Sequence, residues 1–246
     1  MREPIPVVEI LGRTDASDGV SRPFKCLDAS DNLYYVKSLR QCGSEVLIRE
    51  WICGRLAQAL GLPVADFFLL RVPAELIRGN DEYERELGYG IVFGSRHIPS
   101  SVSPTTRTLA KVESRTLSRI LLFDWWVRNQ DRTLSGVSGN PNFFITLGAN
   151  VGVGIFDHGM AFDADFNEND FWQTHAMRTY REEYSPARRA EAAQWLDSAC
   201  ERVPEFWLEL PDEWLVNDYG ESISHLDVKS LGDILSRFRK EEGFWK

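Results

Sequence analysis

The 246-residue chain has only four cysteines, Cys26, Cys42, Cys53 and Cys200, and no two of them form a C-x-x-C pair. That spacing rules out a zinc ribbon or a thioredoxin-type redox motif and leaves reduced thiols as the expectation. The four histidines, His97, His158, His175 and His225, never fall into the H-E-x-x-H spacing of a zinc protease, and each is expected in a satisfied structural role. There is no G-x-S-x-G, which argues against an α/β-hydrolase, and no G-x-x-x-x-G-K-[ST], which argues against a P-loop NTPase. Positive charge is scarce too. Lys and Arg number 28 against 37 Asp and Glu, so the formal net charge is −9 and a dedicated nucleic-acid surface is disfavoured. No apolar run approaches the roughly 18 residues that span a bilayer. Met1-Arg2-Glu3-Pro4 leads into a strand-like run rather than the apolar stretch of a signal peptide. A cytoplasmic protein without a membrane span is the expectation.

What is present is an ordinary globular composition, 43% hydrophobic and 26% charged, enough for one domain or two small lobes sharing a cleft. The first hundred residues read as mainly β. Strands are expected at 5–11, at 22–27 and 33–39 (a hairpin turning through 28–32), and at 67–72 and 89–93. One helix interrupts them, capped by Ser44 and starting near Glu45, with Leu47, Trp51, Leu56 and Leu60 near helical spacing and Gly61 and Pro63 ending it. After a Gly-, Ser- and Pro-rich stretch at 94–104 the pattern turns helical. The helices expected are 113–128, 186–200, 204–208 and 228–240, with two short strands around Gly148-Ala149-Asn150. The expected division is an N-terminal unit at 1–98 and a C-terminal one at 99–246.

The chemistry concentrates in one stretch. Asp131-Arg132 follows the apolar helical run that ends in Asp124-Trp125-Trp126-Val127-Arg128-Asn129-Gln130. Asn142 stands just ahead of the strand-like Phe143-Phe144-Ile145-Thr146, and Asp157-His158-Gly159 follows the strand-like run 151–156. That order suits phosphoryl transfer, with Asp131 at the acceptor hydroxyl and Asn142 and Asp157 at Mg²⁺, because the protein's task there is positioning and charge neutralisation. Mg²⁺ usually keeps water and phosphate oxygens, so a sparse Asn/Asp set is sufficient. Lys37, in the strand-like Tyr34-Tyr35-Val36-Lys37, is placed to reach the α- and β-phosphates of ATP. Its partner is Glu50 on the following helix, with Glu45 as competitor. The turn-rich segment 12–21, with Gly12, Gly19 and Ser21, would cover the phosphates, although it lacks a G-x-G-x-x-G and carries Asp15 and Asp18.

These pieces resemble the short HipA-like kinases: Tyr35-Val36-Lys37, Glu50 through Gly61-Leu62-Pro63-Val64, 124–133, Asn140-Pro141-Asn142-Phe143, and Phe156-Asp157-His158-Gly159-Met160-Ala161-Phe162. The likeness covers roughly residues 5 to 165. It implies an α+β, two-lobed protein-kinase-like fold, with a small β-rich N-lobe holding one main helix and a mostly helical C-lobe. It further implies ATP with Mg²⁺, a protein Ser or Thr as acceptor, and autophosphorylation at Ser17 or Ser21, and it leaves room for an antitoxin-like partner. In that likeness Lys37 is the ATP lysine, Asp131 the catalytic Asp, and Asn142 and Asp157 the metal ligands. Two departures stand out. Asp131 and Asn142 are eleven positions apart, further than a protein-kinase catalytic loop sets them, so 134–139 must bulge out, and the glycine loop is weak. They keep open a pseudokinase that serves as a nucleotide-binding interaction module. The Asp-x-Gly followed by Ala161-Phe162 is also similar to type II phosphatidylinositol 4-kinases, so a lipid or small-molecule acceptor stays open as well.

Overall fold

A computed structural model describes residues 3–14, 22–134, 139–148, 151–217 and 219–245. The chain opens with β1 (Ile5–Arg13), β2 (Phe24–Asp28), β3 (Leu33–Lys37), α1 (Leu39–Ala59), β4 (Phe67–Val72), α2 (Ala74–Ile77) and β5 (Gly90–Arg96). Then come β6 (Ser101–Val102), α3 (Thr106–Leu109), α4 (Ser114–Trp126), β7 (Phe143–Thr146) and β8 (Gly152–Ile155). The rest is helical: α5 (Glu168–Thr174), α6 (Pro186–Cys200), α7 (Val203–Trp207), α8 (Asp212–Leu215), α9 (Val228–Leu235) and α10 (Arg237–Lys240). These elements form two compact units. One comprises Met1–Trp51, Ala65–Pro99 and Glu209–His225, the other Ile52–Val64, Ser100–Leu208 and Leu226–Lys246.

The first unit is built on a closed five-stranded barrel in the order β1-β2-β3-β5-β4. Its neighbours are antiparallel except where β1 meets β4 in a short parallel pairing, Ile5 opposite Leu70 and Pro6 opposite Arg71. Register shifts between Val7 and Glu9 and between Ile10 and Gly12 bend β1 enough for a sheet this narrow to close. Period-two alternation then fills the barrel: Val7, Phe24, Cys26, Tyr34, Val36, Leu70, Val72 and Val92 form its core. The β2–β3 turn is held by Asp28, whose carboxylate accepts from the amides of Ser30 and Asn32 and from the Tyr34 hydroxyl. The same alternation sends Lys37 away from the barrel core that Tyr34 and Val36 enter.

Helix α1 buries Leu47, Ile48, Ile52, Cys53, Leu56 and Ala57, a stripe recurring every three to five residues. It departs from expectation at its start. Helical backbone begins at Leu39, so β3 stops at Lys37, and Gly43 (φ 79°, ψ 168°) breaks the helix before it resumes. Ser44 gives its hydroxyl to the Trp214 carbonyl.

In the second unit α4 buries Leu117, Ile120, Leu121, Phe123, Trp125 and Trp126, and β6, β7 and β8 form a small antiparallel sheet. The helix expected over 228–240 is two, parted at Ser236, which caps α9 at its C-terminus and α10 at its N-terminus. Gly94, read as the start of a connecting stretch, sits inside β5 opposite Val36 and Phe68. Its missing Cβ makes room for the Leu70 side chain.

Candidate active site

In the first unit Lys37 ends β3 and Glu50 lies at the end of the second turn after the Gly43 break. Lys37 Nζ donates to Glu50 Oε1 at 2.6 Å, and both side chains are buried. A buried lysine of this kind keeps its ammonium only with a partner, and removing one member of such a pair costs about 3–5 kcal/mol. Glu45, the alternative partner, is engaged elsewhere: it accepts from Arg49 at 3.1 Å and from the His225 amide at 3.1 Å. Gly12 lies at the end of β1 with φ 98°, where an added Cβ would meet nothing within 4 Å. Beyond it the Thr14 amide bonds the Pro23 carbonyl at 3.0 Å. Gly19, Ser17 and Ser21 lie outside the described residues.

In the second unit Asp131, Asn142 and Asp157 come together. The excursion between Asp131 and Asn142 is pinched at its base. Thr133 N–H donates to the Asn140 carbonyl at 2.8 Å, and Asn140 N–H to Thr133 Oγ1 at 2.9 Å. That pinch absorbs the extra length, and Asn142 Nδ2 then donates to both the Asp131 carbonyl (2.9 Å) and Asp131 Oδ2 (3.0 Å). Asn140 Nδ2 adds a second contact to the same carboxylate oxygen at 2.7 Å. Register brings in Asp157. Phe143 pairs with Ile155, so the residue before β7 faces the residue after β8, and Phe156 N–H donates to the Asn142 carbonyl at 3.1 Å. Asn142 (φ 50°) and Asp157 (φ 56°) are both left-handed, a conformation that Asn and Asp accept more readily than most residues and that aims their side chains off the strand line. Burial and, secondarily, the charge of Asp157 raise the Asp131 carboxyl above the usual aspartate range, although the Asn142 hydrogen bond works the other way.

This donor set fits a hard divalent cation. Asn142 spends its Nδ2 on Asp131, which leaves its carbonyl oxygen outside those bonds. The two carboxylates disfavour each other's ionised form, a cost that a cation relieves. Among the described residues no group of three His, Cys, Asp or Glu side chains forms a metal site.

One residue, given no role at sequence level, ties the cluster together. Arg132 is wholly buried and donates through Nε and Nη2 to Asp124 at 2.7 and 3.2 Å. Its Nη1 donates to the carbonyls of Asn142 and Phe156, the latter at 3.2 Å. A single planar guanidinium thus follows Asp131 in the chain, holds the backbone of Asn142, and fixes the residue before Asp157. Asp124 is held in turn by Asn129 Nδ2 at 3.0 Å and His175 Nε2 at 2.9 Å. His175 Nδ1 accepts from the Met177 amide, so the proton sits on Nε2 and the ring donates to Asp124 while neutral. Burial lowers the His175 pKa. Although burial opposes it, the Arg132 charge with the His175 hydrogen bond holds the Asp124 carboxyl far below its usual range. The signal in the sequence was the Asp124…Arg132 spacing at the end of an apolar helix; His175 gave none, because its approach is purely tertiary.

Comparison with solved structures finds the Helicobacter pylori proinflammatory kinase CtkA, at TM-score 0.53 and 12% identity, covering 97% of this chain and 95% of that one. It also finds the HipA, HipB and operator DNA complex of the Shewanella oneidensis MR-1 toxin–antitoxin system, at TM-score 0.40 and 13% identity, covering 87% of this chain and 59% of the other. The first likeness establishes a shared fold. No curated protein matches the chain. The family model for HipA-like kinases matches residues 7–246, and the chain therefore belongs to the HipA-like kinase family.

Proposed function

We propose that this chain is an ATP- and Mg²⁺-dependent kinase that transfers the γ-phosphate to a hydroxyl acceptor, a protein serine or threonine first among them. The observation that carries the reading is the convergence of Asp131, Asn142 and Asp157, which stand far apart in sequence. Asp131 is the group that orients the acceptor hydroxyl and takes its proton, and its raised carboxyl basicity suits that task. Asn142 and Asp157 are the metal ligands; when bound, Mg²⁺ supplies charge neutralisation at the transferring phosphoryl group. Lys37 is the phosphate-binding lysine, presented by Glu50, and the segment carrying Gly12, Gly19 and Ser21 covers the nucleotide. In this reading the barrel unit is the N-lobe and the helical unit the C-lobe, with residues 1–98 and 99–246 as their main spans. Kinase activity named for the H. pylori structure of the same fold supports the reaction class.

The test is phosphate transfer from γ-labelled ATP with Mg²⁺, offered the protein itself, a cell lysate and phosphoinositide vesicles. Incorporation by wild type that is lost in Asp131→Ala and Asp157→Ala supports the reading, and intact mass then locates any autophosphorylation at Ser17 or Ser21. Label in the lipid fraction alone would move the acceptor to a lipid. Absence of both transfer and Mg-ATP binding would overturn the kinase reading.

A further inference from the structure

Segment Glu209–His225 belongs by packing to the barrel unit, although the chain has by then traversed most of the other one. Its contacts fall on two places. On β5 it takes both backbone groups of Ile91: the amide donates to Glu213 Oε1 at 2.8 Å, and the carbonyl accepts from Trp214 Nε1 at 3.0 Å. On α1 the Trp214 carbonyl accepts from Ser44, Glu209 accepts from Trp51 Nε1 at 3.1 Å, and the His225 amide donates to Glu45.

These positions have a common geometry. The β3–β5 ladder ends where Lys37 faces Phe93, because β3 gives way to α1 at that point. Ile91, two residues along β5, has lost its neighbour strand, and Glu213 with Trp214 replaces the missing rung. The same segment grips α1 at Ser44, Glu45 and Trp51, on either side of Glu50. Both sides of the Lys37–Glu50 pair are thus tied to one brace, the strand through β5 and the helix directly. Trp214 is fully buried. Gly90, at φ 114°, lets the Glu213 carboxylate come close, since a Cβ there would stand 2.5 Å from Glu213 Oε2.

We infer that Glu209–His225 is a built-in brace that holds the Glu50 helix against the barrel and keeps the Lys37–Glu50 pair formed without an activating modification, with Glu213 and Trp214 as its positioning residues. The inference rests on the reading of Lys37 as the phosphate-binding lysine. A helix freed to swing would carry Glu50 off a lysine that is otherwise buried, and the nucleotide would lose its preorganised cation.

The test reads the pair directly. Lysine labelling with a small amine-reactive reagent, mapped by mass spectrometry, reports Lys37 against the exposed Lys240 of the same molecule. Glu213→Ala and Trp214→Phe should raise relative Lys37 labelling about tenfold, as expected when a local opening loses a buried hydrogen bond. Glu213→Gln, which still offers an oxygen to the Ile91 amide, should stay near wild type. Mg-ATP affinity should fall about fivefold in the first two variants and recover in the third. Lys37 labelling unchanged in both loss variants overturns the brace, and so does high Lys37 labelling in wild type. If labelling rises at every lysine, Trp51→Phe decides, since it removes the indole donor to Glu209 while keeping an aromatic ring beside Phe67: selective exposure of Lys37 supports the brace and none overturns it. A wild type that protects Lys37 yet binds no Mg-ATP overturns the kinase reading, and the labelling still decides the brace.

Discussion

Arg132 illustrates what a single side chain does at this site. Its five N–H donors form a rigid fork, and three directions of that fork are taken by Asp124, Asn142 and Phe156. Arg132→Ala leaves Asp124 buried beside only His175 and Asn129, so urea denaturation should show a loss of about 3–5 kcal/mol. Arg132→Lys keeps a cation but cannot bridge both carbonyls; it should hold more of the stability and little of the phosphate transfer. His175 adds a pH dependence whose sign is fixed. Its folded pKa lies below the ordinary value, and so does that of Asp124. Both groups therefore stabilise fully above their unfolded pKa values and lose that contribution as pH falls. The loss from His175 begins below about pH 6.5, in the unfolded chain's titration range, and that from Asp124 follows below about pH 4. Melting temperature should drop on acidification through that upper range, and His175→Gln should flatten the drop. Asp131, Asn142 and Asp157 were legible in the sequence because each adjoins a recognisable element. The network behind them was not, because its partners are set by packing.

At the level of elements, the sequence indicated three strands, a helix and two strands, and the barrel strands and α1 follow that order, with the short α2 added between β4 and β5. What it missed is the kink that makes α1 two helices. Gly43, at φ 79° and ψ 168°, occupies a region open essentially to glycine, and it lets the chain leave β3 and then re-aim the segment bearing Glu50. Gly43→Ala should cost about 1–3 kcal/mol in chemical denaturation. It should also weaken Mg-ATP binding more than an exposed Gly→Ala elsewhere, because the strain is relieved by moving the helix. A second misreading has a similar origin. The periodicity of 228–240 is helical throughout, yet the helix turns at Ser236 so that the buried Arg237 can donate to the carbonyls of Trp125 and Trp126 at the end of α4. Those carbonyls have no intrahelical partner, and a distant guanidinium supplies one. Burial lowers the Arg237 pKa to about 10, so it stays charged at neutral pH.

For the whole molecule, belonging to the HipA-like kinase family and sharing a fold with CtkA at 12% identity mean that the architecture survives almost complete replacement of its side chains. Such tolerance is expected when a pattern of burial, rather than particular residues, specifies the fold. Nucleotide binding gives the corresponding prediction. Mg-ATP at a hundred times its dissociation constant should stabilise the native chain by about 2.7 kcal/mol, visible as a rise in melting temperature. Lys37→Ala and Asp157→Ala should each abolish that rise. ADP without metal should reproduce little of it, because the acidic cluster around Asp131 repels an unneutralised polyphosphate.

By itself the sequence determined the main strands and helices, their order, and the residues proposed to carry the chemistry. Each of those is written in short-range patterns: alternation along a strand, a stripe on a helix, an Asp or Asn beside a strand end. Only the tertiary structure decided that Lys37 meets Glu50 and not Glu45, that a pinch at Thr133 and Asn140 returns Asn142 to Asp131, and that residues 209–225 come back to the barrel. Contacts of that kind join segments far apart in the chain, and their choice depends on how all the buried surfaces fit at once, which no local window of residues contains.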